Sequence, residues 1–289
     1  VLVGLSMCWV GLAIQHTANH GGLAADPRVG YLLGLLNDVI PGGSSLVWRY
    51  HHQVSHHAYS NDVVLDQDVH SYFPILRLSE SQPLEGHHRW QWAYGPASFC
   101  FLAATIHMQD FQCLLDARSF LVHFKGATAT EILLAFALKL LHVAWFCVLP
   151  ALLHGPAVMF VPWVSALSVG SFCLASLSIV NQNVEAAKAA DKPLSEKGDW
   201  ARYQVETSTS WGGRIGSFLA GGLNLQIEHH LFPSLPHNLY PDVQAIVMDE
   251  CGKRGIKYNY YPTLLSNFAS HIRYLYALGR PHEHGGKQE

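Results

Sequence analysis

Apolar residues in this chain gather into a few long runs instead of recurring every third or fourth position. Residues 1–15 (VLVGLSMCWVGLAIQ) read as the end of a membrane helix that leads straight into His16. Residues 132–153 and 156–180 are each long enough to cross a bilayer as a helix, which takes about 20 mostly apolar residues. His154-Gly155-Pro156 between them is a tight break, so the two runs predict a helical hairpin. Lys139 and His142 fall inside the first run and are expected to face protein or an aqueous cavity. A shorter run, 94–112, reads as interfacial or as a poor span. Together these runs predict an all-α integral membrane protein, a single catalytic domain over residues 1–289. A charged segment ahead of residues 1–15 is missing and the first residue is Val. The expectation is therefore an N-terminally truncated chain and not a signal peptide.

Composition strengthens the membrane reading. Hydrophobic residues make up 49% and charged residues only 13%, roughly half the ~25% usual in soluble domains. Of the 18 Lys and Arg, 17 flank the hairpin and none lies in its turn, so the positive-inside tendency puts both flanks in the cytosol. A net charge of −3 offers no basic stripe for nucleic acid. The six cysteines form no C-x-x-C pair and suggest neither a disulfide framework nor a thiolate metal site.

The remaining oddity is histidine, with 19 against 18 Lys and Arg. Three clusters stand out, all on one side of the predicted membrane. In His16-Thr17-Ala18-Asn19-His20 the two His are i and i+4, stacked on one helical face. In His52-Gln53-Val54-Ser55-His56-His57 the same spacing pairs His52 with His56, while His57 is turned about 100° away. The third, Gln226-Ile227-Glu228-His229-His230, ends in the same doublet. Adjacent imidazoles that point apart suit two neighbouring ions better than one. Imidazole alone leaves Fe, Zn, Cu and Ni open. Zinc sites usually take four ligands, often with Cys, so seven or more His point to two metals.

HTANH, WRYHHQVSHH and QIEHH resemble the three boxes of membrane fatty-acid desaturases, and Gln226 at the head of the third resembles the front-end subgroup. HRWQWAYGP, NQNVE, the Asp199-Trp200 pair with Gln204 and NLQIEHHLFP extend the likeness over nearly the whole chain. The resemblance implies transmembrane helices with a cytosolic helical cap that carries a di-iron site. It implies iron ligation by His16, His20, His52, His56, His57, His229 and His230, with Gln226 at the remaining box position. Asn181 and Gln182 match a segment whose middle residue is His in the family, which makes them candidate metal or supporting residues, as is Glu228. The implied reaction places a cis double bond between an existing one and the carboxyl end of a polyunsaturated acyl chain. It uses two Fe ions, O2 and electrons from cytochrome b5 and its reductase. The acyl carrier is a phospholipid or a CoA ester, and the location a multi-pass protein of the endoplasmic reticulum. Ile40-Pro41-Gly42-Gly43 is not the HPGG haem motif of a fused b5 domain. That domain and the first membrane helix are expected upstream of Val1, or b5 is a separate partner.

Three competitors remain on the same residues: a sphingolipid long-chain-base desaturase, a membrane di-iron hydroxylase, and a non-catalytic membrane metal-binding protein. Among other residues, His51 is expected to support the second box without ligating. Asp62, Asp66 and Asp68 read either as partners of ligand imidazoles or as solvated loop charges. Non-ligand roles are expected for His70, His87, His88 and His107, and His237 reads as a head-group or loop-capping residue. His271, His282 and His284 are expected on a polar surface tail. Trp90, Trp92, Trp200 and Trp211 are expected as interfacial anchors or tunnel walls.

Overall fold

The computed structural model describes residues 1–187 and 198–281, and they are mostly helical, with two short two-stranded ladders. The predicted all-α character holds apart from those ladders. Arg118–Ser119 pairs antiparallel with Val122–His123, and Ser210–Trp211 pairs parallel with Tyr260–Tyr261.

The hairpin begins at a signal in its flank. Thr128 Oγ1 accepts the Glu131 N–H at 3.2 Å, and the Glu131 carboxylate accepts the Thr128 N–H at 2.9 Å, closing a capping box. The helix therefore starts at Ala129, ahead of the apolar run, and continues through a π-helical stretch, Val143–Val148, to His154. Gly155 turns the chain at φ +85°, and Pro156, pre-set for a helix, opens Pro156–Leu177. Ala129–His154 and Pro156–Asn181 are the two described helices long and apolar enough to cross a membrane. Lys139 does face protein. Its Nζ donates to Gly42 O and to Asp110 Oδ2, both at 2.8 Å.

Residues 2–19 form one unbroken helix, α-helical over Leu2–Trp9, π-helical over Val10–Gln15 and α-helical again over His16–Asn19. It lies along Pro156–Leu177 with Gly4 against Ala166 and Gly170, where a Cβ on Gly4 would strike the Ala166 carbonyl. Small residues that let backbones touch are how helices associate without a hydrophobic drive between them. This contact sets the direction in which His16 and His20 leave the helix.

The 94–112 run breaks into Gln91–Ser98, a 3-10 turn at Phe99–Phe101 and a helix Leu102–Asp116, too short to be among the crossing helices. Asp110, Cys113 and Leu114 turn inward, while Met108 and Leu115 are exposed.

A second body of helices comprises Trp200–Glu206, Gln226–Leu231, Tyr240–Lys253 and Leu264–Leu278. Buried Val205, Ile227, Val247 and Cys251 hold the first three together and fix the third box. Leu275 packs with Leu76, Leu78, Phe99, Ala175 and Val180, tying the last helix to the hairpin and to the loop after the second box. Two expectations fail here. His271 is no surface residue: Leu264–Leu278 buries it completely, and its Nδ1–H donates to Asn183 O at 2.6 Å. Trp211 is no interfacial anchor; it is buried and donates its indole N–H to Asn181 Oδ1 at 2.8 Å. Trp90 and Trp200 stay exposed. His282 and His284 lie outside the described residues. All six cysteines are free.

Candidate metal centre

The second box is π-helical from Arg49 to His56 and α-helical from His57. The His52 and His56 rings do share a face, stacked with centroids 5.1 Å apart, and the π winding adds a second neighbour. A π-turn bonds i to i+5, so His52 and His57 meet, Nε2 to Nε2 at 3.0 Å. The Nδ1–H of His56 donates to both carboxylate oxygens of buried Asp66, at 3.1 and 3.2 Å. Trp48 stacks on the His52 ring with centroids 4.4 Å apart, bracing it from the preceding turn.

The first box behaves as its spacing predicts, with the His16 and His20 rings 4.8 Å apart. His16 Nε2 also lies 3.1 Å from His52 Nε2. The third box supplies His229, whose ring centroid is 4.4 Å from that of His16 and 4.6 Å from that of His57. The nitrogens of His16, His20, His52, His57 and His229 all lie within 4.8 Å of one another. His230 stacks on His57 at 4.4 Å and meets His56 at 5.0 Å. Beside it, the amides of Gln182 and Gln226 each reach His230 Nε2 at 3.0 Å. The seven box histidines and both glutamines thus come together from four separate stretches of chain.

Electrostatics favours metal-binding forms. Burial first, and then repulsion from neighbouring rings, holds His16, His52, His57, His229 and His230 well below the usual imidazole range. His20 is lowered to about 3 by the same causes. Neutral imidazole is the form that ligates. Burial also disfavours charge on His56, but Asp66 and Asp68 outweigh it and raise that ring to about 9. His56, Asp66 and Asp68 could themselves hold a cation. A His whose Nδ1–H is given to a carboxylate, however, is the usual arrangement of a ligand oriented by its support, with Nε2 left for the metal. Nδ1 of His230 likewise donates to Gln204 Oε1 at 2.8 Å, and Nδ1 of His229 shares a 3.1 Å hydrogen bond with Tyr240 Oη.

The centre of the cluster carries orphaned polar atoms. His20 Nε2, His57 Nδ1, His229 Nε2 and Gln226 Oε1 are buried with no hydrogen-bond partner. Each such atom costs about 1–3 kcal/mol when left unpaired. A buried site that collects several of them, three on imidazoles and one on an amide oxygen, fits a transition-metal ion.

Two candidates are not part of this arrangement. Asn181 spends its amide on Leu177 O and Leu223 O and its carbonyl on Trp211 and Asn267, so it braces the chain behind the cluster. Glu228 is buried, which raises its carboxyl, and it accepts from Ser210 Oγ at 3.0 Å and Tyr258 Oη at 2.7 Å, bonding no ring. Asp66 proves to be a ring partner, and Asp62 caps the N–H groups of Val64 and Leu65. His51 bonds Asp68 at 2.6 Å and supports the box as expected. Thr17 Oγ1 pairs with His237 Nδ1 at 2.8 Å, joining the first box to the loop after the third. Tyr240 is a support that sequence reading missed, since nothing in its local pattern relates it to His229.

A cavity of about 430 Å³ reaches the cluster at His16, His52, His56 and Gln226. Its other walls are largely apolar and include Leu12, Leu102, Ile106, Leu174 and Leu223.

A sequence model of the family described as fatty acid desaturase matches residues 1–262. The chain is 44% identical over 286 residues to an acyl-lipid (7-3)-desaturase, chloroplastic, of Chlamydomonas reinhardtii, covering 96% of this chain and 55% of that protein. It is 35% identical to an acyl-lipid (7-3)-desaturase of Rebecca salina, over 97% of this chain and 63% of the relative. It is 32% identical to an acyl-lipid (8-3)-desaturase of Physcomitrium patens, over 96% and 59%. The chain therefore spans between half and two thirds of the length of these relatives.

Proposed function

Because the chain belongs to the fatty acid desaturase family, we propose that it is a front-end acyl-lipid desaturase with a histidine-ligated iron pair. It places a cis double bond between an existing one and the carboxyl end of a polyunsaturated acyl chain. The names of the Chlamydomonas, Rebecca and Physcomitrium relatives as acyl-lipid desaturases support the acyl-lipid substrate. The observation that carries the reading is that all three boxes converge and reach the lining of one largely apolar cavity.

His16, His20, His52, His57 and His229 would hold one iron, and His56, His230, Gln226 and Gln182 would hold the other. When bound, the iron pair supplies the oxidation: O2, two electrons from cytochrome b5 and two protons yield two waters as two hydrogens leave adjacent methylenes. The protein does the rest. Asp66, Gln204 and Tyr240 hold three rings by Nδ1 so that Nε2 faces inward. The apolar walls exclude water and hold the acyl chain extended past the rings, so that position along the cavity selects the bond, a positioning effect.

The topology that fits is a multi-pass membrane protein with the site on the cytosolic side, both flanks of the hairpin carrying the Lys and Arg. The b5 electron source argues for the endoplasmic reticulum, whereas the Chlamydomonas relative is named chloroplastic. A tagged protein imaged against markers of both membranes decides between them.

Lipid analysis of yeast producing the full-length protein and fed polyunsaturated precursors should reveal one new cis double bond on the carboxyl side. A hydroxylated product instead, or full product from the His229→Ala variant, would reject the reading. Purified protein should hold about two irons per chain.

A further inference from the structure

A second concavity, of about 380 Å³, opens beside the acyl cavity. Gln67, Ser71, Gln109 and Cys113 line both, so the two spaces share a wall. The new one has a more polar lining than the acyl cavity. It is formed where the helix Leu102–Asp116 ends and the ladder begins, and Asp116 and Arg118 both face it. Ala117 between them is left-handed at φ +49°, which lets the two charges share one side of the bend. Ser119 Oγ donates to Gln67 Oε1 at 2.8 Å, fastening the ladder to the segment after the second box. Phe120 stacks on His70 at 5.0 Å and makes an aromatic wall. Outside the rim, Leu115 and Leu121 are exposed.

Resting on the desaturase reading, we propose that this concavity binds a zwitterionic glycerolipid head group. The phosphodiester would lie on Arg118 and the ammonium on Asp116 and the Phe120 ring. Arg118 and Asp116 form no ion pair with each other or with another described residue, although they line the same hollow. Two opposite, uncompensated charges are complementary to a ligand that carries both signs. An acyl-CoA brings a diphosphate and a phosphomonoester, for which one guanidinium opposed by a carboxylate is a poor match. An anionic head group would meet repulsion from Asp116. Gln67, Ser71, Gln109 and Cys113, which line both spaces, set the head-group site directly beside the acyl cavity.

The test uses the full-length protein in nanodiscs, with one polyunsaturated acyl chain presented on phosphatidylcholine, phosphatidylglycerol, galactosyl diacylglycerol or CoA. Phosphatidylcholine should give the lowest KM. Arg118→Gln should raise that KM about tenfold, the factor of one charge-assisted hydrogen bond, with the loss falling on KM and not on kcat. Arg118→Lys should recover part of it. Asp116→Asn should lower the KM for phosphatidylglycerol while raising that for phosphatidylcholine. An unchanged KM in both variants, or a preference of the wild type for CoA or galactolipid, overturns the proposal. Absence of product on every carrier would overturn the desaturase reading instead. In that event native mass spectrometry with saturated phosphatidylcholine still decides the site: retention by wild type and loss in Arg118→Gln supports it, and equal binding overturns it.

Discussion

Two polar clusters are buried in this apolar protein, and they are built to opposite rules. Around Lys139 the charges are paired, although Asp38 Oδ1 and His107 Nε2 close by have no partner. The ammonium has Gly42 O and Asp110 Oδ2, and the same carboxylate oxygen accepts the Ser44 N–H at 2.7 Å. Around the box histidines Nδ1 of His56, His229 and His230 is occupied, while other ring nitrogens crowd together at 3.0–3.1 Å or stand without a partner. The paired charge works as a clasp between the first crossing helix and the loop before the second box. An open cluster is organised around something the polypeptide does not supply. The contrast separates a structural buried charge from a ligand site using geometry alone.

The comparison can be broken most decisively at its open end. His52→Ala removes the ring that approaches both His16 and His57, and desaturation should fall below detection with membrane insertion intact; gas chromatography and an extraction assay read the two separately. At the closed end, Lys139→Ala should leave activity per folded molecule unchanged but destabilise the protein by about 3–5 kcal/mol. It strands the Asp110 carboxylate in an apolar site. Thermal unfolding in detergent measures this, and Lys139→Met with Asp110→Leu should restore most of the loss. If the double variant is no better than the single, the clasp is not a self-contained pair. A smaller effect tests the supports of the open cluster. Asp66→Asn should weaken iron retention by about 10–100-fold with little change in fold, the usual cost of losing a ligand's carboxylate partner. The smallest change is expected from Tyr240→Phe, about 0.5–1.5 kcal/mol for one hydrogen bond, seen as a few-fold loss of iron affinity in chelator competition.

Much of this site was legible because its ligands are local. His16 and His20 lie four residues apart on a helix that the apolar run announces, and the doublets at 56–57 and 229–230 are visible by eye. The hairpin, too, needed only run length and the Gly-Pro break, although Thr128 and Glu131 carry a start signal that the apolar count passed over. Where reading failed, a distant partner decided. Trp211 looks like an anchor until Asn181 accepts its N–H, and His271 looks like part of a polar tail until Asn183 takes its proton. Asn181 and Glu228 sit beside ligands in the chain, yet their polar atoms are claimed by Trp211, Asn267, Ser210 and Tyr258.

By itself, then, the sequence determined which residue types are present, which runs are apolar enough to cross a membrane, and which histidines travel together. Tertiary structure decided which nitrogens meet. The second box makes the point: α-helical spacing pairs His52 with His56, whose rings do stack, but the chain winds as a π-helix there and also brings His57 Nε2 to His52 Nε2, while His56 Nδ1 goes to Asp66. A local period is a property of the backbone, and the backbone here takes the winding that lets rings from three boxes face one another. Only the packed protein can make that choice, because hydrogen bonds with Asp66, 10 positions along the chain, and with Gln204, 147 positions along, hold the result in place.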